Sequence, residues 1–195
     1  MTIIAIDHEY AVADGMKLWH NEIRGLDHKK LVVAPDPRHA GGQIIAACAG
    51  LAALQMPLIK WYQDGANPGA IPEGMKDDCG WTFVVIDRTG LWKYSHTCPY
   101  PESFDAPFAI GAGIDMALGA MYAGFTARQA VELVNARCNT SGGEIQQVSI
   151  MEVTGFTLRK PVGQGDPRKA AYIEARRQAE AMRPALSGAV YGRPK

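Results

Sequence analysis

Two short apolar runs, Ile3–Ile6 and Tyr10–Ala13, flank the polar triplet Asp7-His8-Glu9. Short apolar runs around a polar turn predict a β-hairpin. With residue 8 at the centre of the turn, Ile6 faces Tyr10, Ile3 faces Ala13 and Thr2 faces Asp14. Directly opposed residues share a face, so this register sets a carboxylate beside Thr2; a slip of one residue would move it to the other face. A third strand is expected over 30–34, ended by Pro35-Asp36-Pro37, and the glycine-bounded apolar run 43–48 reads as a buried strand. Residues 52–64 predict a helix with Leu54, Leu58 and Trp61 on one stripe, provided that Pro57 falls near its first turn. The stretch 65–79, rich in Gly, Pro and Asp, predicts a surface loop. Trp81–Asp87 and Leu91–Ser95 predict a hairpin across Arg88-Thr89-Gly90, and 108–110 a short strand. Two helices are expected over 114–123 and 126–138, divided at Gly124 with Thr126 as N-cap of the second, and a final strand over 146–153.

Strands that come in hairpin pairs, with helices between the groups, predict two packed antiparallel sheets with helices outside, an α+β arrangement rather than a doubly wound parallel sheet. The 195 residues suit one domain with an extension. Composition places the boundary: after residue 160 the chain turns polar and basic, giving a domain over 1–160 and a tail over 161–195 with one helix at 168–182. Lys plus Arg equal Asp plus Glu at 20 each, so no charge excess calls for nucleic acid or a membrane surface. No apolar run approaches the roughly 20 residues that span a bilayer. The N-terminus lacks the basic start and apolar stretch of a secretion signal, and the expected location is the cytoplasm. Cys48, Cys79, Cys98 and Cys138 are scattered and read as buried thiols, and the five histidines show no metal-ligand spacing, so no metal is expected.

The chemistry begins at Thr2. A small second residue lets the initiator Met be trimmed, which leaves a hydroxyl and a free α-amine on one threonine, a nucleophile paired with its own base. Retention of Met1 would block that amine. Two glycine turns accompany it: Gly111-Ala112-Gly113 between a strand and a helix, and Ser141-Gly142-Gly143 between a helix and a strand. Taken singly, each is explained by packing or helix capping.

Taken in order, Thr2-Ile-Ile-Ala-Ile, Val12-Ala-Asp14-Gly, Lys29-Lys30-Leu, Ala47-Cys-Ala-Gly50, the Ala-Ile-Gly-x-Gly turn and the Ser-Gly-Gly turn resemble the β-type subunits of the proteasome and the bacterial HslV-type peptidases. The resemblance covers residues 2–153, and small bacterial and phage proteasome-like proteins share the size and the opening. It implies the four-layer αββα sandwich of N-terminal-nucleophile hydrolases, here with a C-terminal helical extension. It implies that Thr2 is the nucleophile, with Asp14 and Lys30, sixteen residues apart, as its charged partners and Lys29 as the alternative lysine. Gly50 takes the place of the glycine whose N–H forms the oxyanion hole, Cys48 and Ala52 line the pocket for the side chain before the cut, and Lys17 reaches its rim. Ser141 matches a serine near the nucleophile's amine.

Three positions depart from the family pattern. Ala112 replaces a serine between the two glycines, Cys138 an aspartate three residues before Ser141, and Leu18 a threonine after the aspartate motif. The leading expectation is a threonine-type endopeptidase that cuts peptides or unfolded proteins inside a homo-oligomeric ring, with no cofactor and no metal. The sequence holds no Gly-x-x-x-x-Gly-Lys-Ser/Thr motif, so an ATP-driven unfoldase would be a separate protein. Two other readings fit the same residues: a catalytically inactive structural subunit, and a hydrolase of small amides.

Overall fold

The chain opens with a hairpin of β1 (Ile3–Ile6) and β2 (Tyr10–Ala13). The computed structural model describes residues 2–19, 22–71 and 80–158. These belong to the first of two units, 1–160; the second, 161–195, lies outside the described residues, as do the tail helix expected over 168–182, Met1 and residues 72–79 of the expected loop.

The hairpin is one residue tighter than its sequence suggests. Asp7 N–H donates to the Tyr10 carbonyl at 3.0 Å, and Asp7 Oδ1 accepts from the Glu9 and Tyr10 N–H groups, each at 2.8 Å. The aspartate side chain thus organises a two-residue loop, His8-Glu9, and every pair shifts by one: Ile4 faces Ala13 and Ile6 faces Ala11, not Tyr10. Asp14 therefore stands opposite Ile3, not Thr2, and its N–H donates to the Ile3 carbonyl at 3.2 Å.

A second hairpin that the sequence did not announce follows, β3 (Lys17–Trp19) with β4 (Glu22–Gly25). Strands of three or four residues are too short to display a clear alternation. Next come β5 (Leu31–Asp36) and β6 (Gly42–Ala49), then a 3-10 turn at Ala52–Leu54 that leads into α1 (Gln55–Gln63). Pro57 sits in the first turn of α1, where its missing N–H breaks no helical bond. The chain continues through β7 (Thr82–Asp87), β8 (Gly90–Ser95), the unexpected short strand β9 (Glu102–Phe104) and β10 (Phe108–Gly111). Helices α2 (Ile114–Tyr122) and α3 (Ala127–Arg137) follow, the latter held by a capping box between Thr126 and Gln129. The strand expected over 146–153 stops halfway: β11 (Gln146–Ser149) gives way to α4 (Ile150–Thr154) because the Ser149 hydroxyl caps the Glu152 N–H.

The strands form a four-stranded antiparallel sheet, β10-β1-β2-β11, and a five-stranded one, β5-β6-β7-β8-β9, with β3-β4 as a separate pair. Side chains from alternate positions explain the layering. Ile4, Ile6, Ala11 and Ala13 meet Ile45, Ala47, Val84 and Ile86 between the two sheets. Ile3, Ala5 and Val12 point the other way, against Ala120, Val131 and Val134 of α2 and α3. Ile44, Ala46 and Val85 face Leu58, Ile59 and Tyr62 of α1. Both faces of the central strands are thus covered, which is why β1 reads as an unbroken apolar run. The result is an α+β, four-layer αββα sandwich. At the far end of the five-stranded sheet, fully buried Asp87 accepts from Arg38, from the Tyr62 hydroxyl at 2.9 Å and from the Thr89 N–H at 2.7 Å, tying the β5–β6 and β7–β8 turns together.

Candidate active site

Thr2, Asp14, Lys30, Gly50 and Gly111 all lie at strand ends on one edge of the sandwich. Thr2 precedes β1, Asp14 follows β2, Lys30 precedes β5, Gly50 follows β6 and Gly111 closes β10. Strand pairing gathers Thr2, Asp14 and Gly111 in one sheet and Lys30 and Gly50 in the other, and the packing of the two sheets brings the groups together.

Asp14 is the hub. It is fully buried, and its Oδ1 accepts from Lys30 Nζ at 2.7 Å and from the Ile3 N–H at 2.8 Å, while Oδ2 accepts from the Gly142 N–H at 3.2 Å. The shifted hairpin register makes the second bond available: with Asp14 opposite Ile3, the carboxylate takes the amide that follows Thr2. The aspartate therefore fixes both the cation and the backbone of the candidate nucleophile. Lys30 is 3% exposed, and burial pushes its ammonium below the ordinary lysine value, with Asp14 acting in the opposite direction. Lys29, the alternative lysine, is exposed.

Thr2 itself is buried, and its carbonyl accepts from the Ala112 N–H at 2.6 Å. Gly111 allows this approach. A Cβ there would lie 1.8 Å from the Thr2 carbonyl oxygen, and its φ of +100° lies where side chains are disfavoured. The Gly-x-Gly turn is thus a clamp on Thr2 as well as a helix start. Ser141-Gly142-Gly143 serves Asp14 through the Gly142 N–H, and a Cβ at Gly143 would meet the Leu26 carbonyl at 2.3 Å. The Ser141 side chain is buried, and its hydroxyl donates to Asn135 Oδ1 on α3.

A cavity of about 680 Å³ opens beside Thr2. Lys17, Lys30, Cys48, Gly50 and Ala52 line it, together with His28 and Ala112. Of the site residues expected from sequence, Asp14 and Ser141 are not part of its wall: Asp14 acts through Lys30 and Ile3, and Ser141 through its loop. Burial pushes the Cys48 thiol up to about 12, so it stays protonated near neutrality. Cys48 is buried, whereas Cys98 and Cys138 are half-buried free thiols, more open than their sequence reading suggested.

Two glutamines at the site carried no warning in the sequence. Gln146 Oε1 accepts from the Lys30 and Leu31 N–H groups at 2.8 and 3.1 Å, and its Nε2 donates to the His28 carbonyl at 3.1 Å. Gln55 Nε2 donates to the Lys30 carbonyl at 2.8 Å. The backbone at Lys30 is thereby held from β11 on one side and α1 on the other. A glutamine at a strand start gives no local signal of such a bridge; only the packing of the two sheets brings it to Lys30. Among the described residues no group of three or more His, Cys, Asp or Glu is placed to hold a metal, and no helix is long and apolar enough to cross a membrane.

Solved structures share this architecture. Thiobacillus denitrificans BPH matches with a TM-score of 0.59 at 18% identity, over 83% of this chain and 100% of its own. The same protein in complex with Epoxomicin matches at 0.56 and 16% identity, over 76% and 97%. The eukaryotic HslV of Trypanosoma brucei matches at 0.56 and 16%, over 76% and 98%. No protein-family profile and no curated protein matches the sequence. The fold is thus the four-layer αββα sandwich shared with BPH and HslV, a proteasome- and HslV-like fold.

Proposed function

We propose that this chain is a threonine peptidase that uses Thr2 as an N-terminal nucleophile once Met1 is removed. One observation carries the reading: Thr2 and Lys30 share a cavity wall, while the buried Asp14 carboxylate binds both the Lys30 ammonium and the Ile3 amide. In the proposed reaction Thr2 Oγ attacks the carbonyl carbon of a peptide bond, and its proton passes to the free α-amine of the same residue. The Gly50 N–H donates to the oxygen that becomes negative. The proton then moves to the departing amine, the C–N bond breaks, and an ester remains on Thr2 Oγ. Water activated by the same amine hydrolyses the ester, releasing a carboxylic acid and restoring the hydroxyl. Lys30 supplies a fixed positive charge that favours the unprotonated amine and a negative threonine oxygen.

The proposed setting is a homo-oligomeric ring in the cytoplasm, whose enclosed sites admit peptides and unfolded chains, with a separate ATP-driven unfoldase as partner. A non-catalytic subunit is the second reading. Ala112 and Cys138, which stand where the resemblance sets a serine and an aspartate, favour it. Intact-mass measurement before and after epoxomicin, the compound bound in the BPH complex, separates the two. Loss of Met1 with an adduct at Thr2 is the expected result. Retained Met1 without adduct would leave the subunit reading standing.

A further inference from the structure

We propose that the cavity beside Thr2 selects peptides with a carboxylate side chain, aspartate or glutamate, on the residue whose carbonyl is attacked. The inference deepens the peptidase reading and rests on it. During the reaction the amine half of the substrate leaves, while the acyl half stays bonded to Thr2 Oγ until water arrives. The side chain of that acyl residue is the one the cavity holds through both steps.

The wall chemistry sets what it holds best. Small groups, Ala49, Ala52 and Cys48, leave room for an extended side chain. Every ionisable oxygen or nitrogen on the wall is basic: Lys17, His28 and Lys30 line the cavity, and among the described residues no carboxylate does. These three groups are not equivalent. The charge of Lys30 is offset by Asp14 at 2.7 Å behind the wall. Lys17 is exposed and makes no ion pair among the described residues. His28 is half-buried, and burial together with Lys17 and Lys30 pushes its pKa below the usual histidine value, although Asp27 and Asp14 act the other way. It is therefore a neutral imidazole near neutrality and offers one N–H donor. An incoming carboxylate gains the Lys17 charge and a hydrogen bond from His28. An incoming lysine meets Lys17 as a like charge, and a leucine fills the space without either gain.

The test uses three peptides that differ only at the residue before the scissile bond: glutamate, leucine or lysine. The expected order of kcat/KM is glutamate over leucine by about twofold to fivefold, with lysine lowest, as suits a pair between an exposed cation and a carboxylate. Lys17→Glu should reverse the glutamate-to-lysine ratio, and His28→Gln should reduce the glutamate-to-leucine ratio. In parallel, binding of fluorescent product-like peptides ending in each residue is measured by anisotropy on Thr2→Ala and on Thr2→Ala/Lys17→Glu. Cleavage that prefers leucine, or a glutamate-to-lysine ratio untouched by Lys17→Glu, would overturn the inference and leave the peptidase reading intact. No cleavage by the wild type, with glutamate-selective binding that Lys17→Glu abolishes, would remove the peptidase reading and uphold the cavity's selectivity. Absence of both cleavage and selective binding would overturn the inference.

Discussion

Asp14 joins stability and the proposed chemistry in one carboxylate. Its oxygens serve Lys30 and Ile3 in buried bonds and Gly142 in a part-buried one. Replacing one member of a buried ion pair leaves an uncompensated charge and costs about 3–5 kcal/mol. Asp14→Asn should therefore lower the free energy of unfolding by an amount of that order, read in a urea titration, and lower turnover with it. Thr2→Ala should separate the two effects: turnover is lost, because the reacting oxygen is gone, while the unfolding midpoint stays close to wild type, since the Thr2 contact shown is made by its backbone carbonyl. A Thr2→Ala protein that still cuts peptides would remove threonine from the mechanism. His28 gives a pH prediction. Its folded pKa lies below 6.5, so between that value and 6.5 the unfolded chain binds a proton that the folded one does not. Stability contributed by His28 is thus present above 6.5 and lost as pH falls through that window. The difference in unfolding free energy between wild type and His28→Gln, followed from pH 7.5 down to pH 5, should shift against the wild type as pH falls; a constant difference would contradict the depressed pKa.

The glycine turns show at the level of elements why fold and site are inseparable. Gly111 ends β10 in a conformation that favours glycine, with the Thr2 carbonyl where its Cβ would be. Gly111→Ala should cost about 1–3 kcal/mol from backbone strain alone and should also displace β1 from β10. Turnover should fall further than for a substitution of equal stability cost remote from the site. Thermal unfolding together with peptide hydrolysis checks this, and an alanine variant of full activity would show that the clamp on Thr2 is dispensable. The same turn shows what sequence reveals. Its glycines, the hairpin opening, the helices at α2 and α3 and the Thr126 cap are written in local residue patterns and appear where expected. The register of β1 against β2 was displaced by one residue because the decisive contact, Asp7 Oδ1 on the Glu9 and Tyr10 amides, selects a two-residue loop that apolar spacing does not distinguish. Strand β11 was drawn too long because Ser149 caps a helix within an apolar stretch that suits either state. The bridge from Gln146 to Lys30 spans 116 positions and belongs to the packing of two sheets, which no local pattern records.

For the whole molecule, the question left by the layers is what covers the outside of α2 and α3. Their inner faces bury Ala117, Ala120, Val131 and Val134 against the sheet. On the outside, Ile114, Tyr122, Phe125 and Leu133 are between 36% and 52% exposed. A surface helix with one buried stripe ordinarily turns polar residues to water, so large apolar side chains left exposed on these helices and their connecting turn suit a contact surface. The proposed occupant is a second copy of this chain, as the ring reading requires. Light scattering coupled to a sizing column should then give a mass several times the 21.1 kDa of one chain. A Tyr122→Glu/Phe125→Glu variant should run at lower mass with unchanged far-UV circular dichroism, because both residues lie outside the buried clusters. If the variant keeps the wild-type mass, these helices do not form the contact and another surface must. A wild-type chain that runs as a monomer yet takes epoxomicin on Thr2 would separate the two parts of the functional reading. The nucleophile would stand, the compartment would fall, and the cavity beside Thr2 would be open to small amides without the filter a ring imposes.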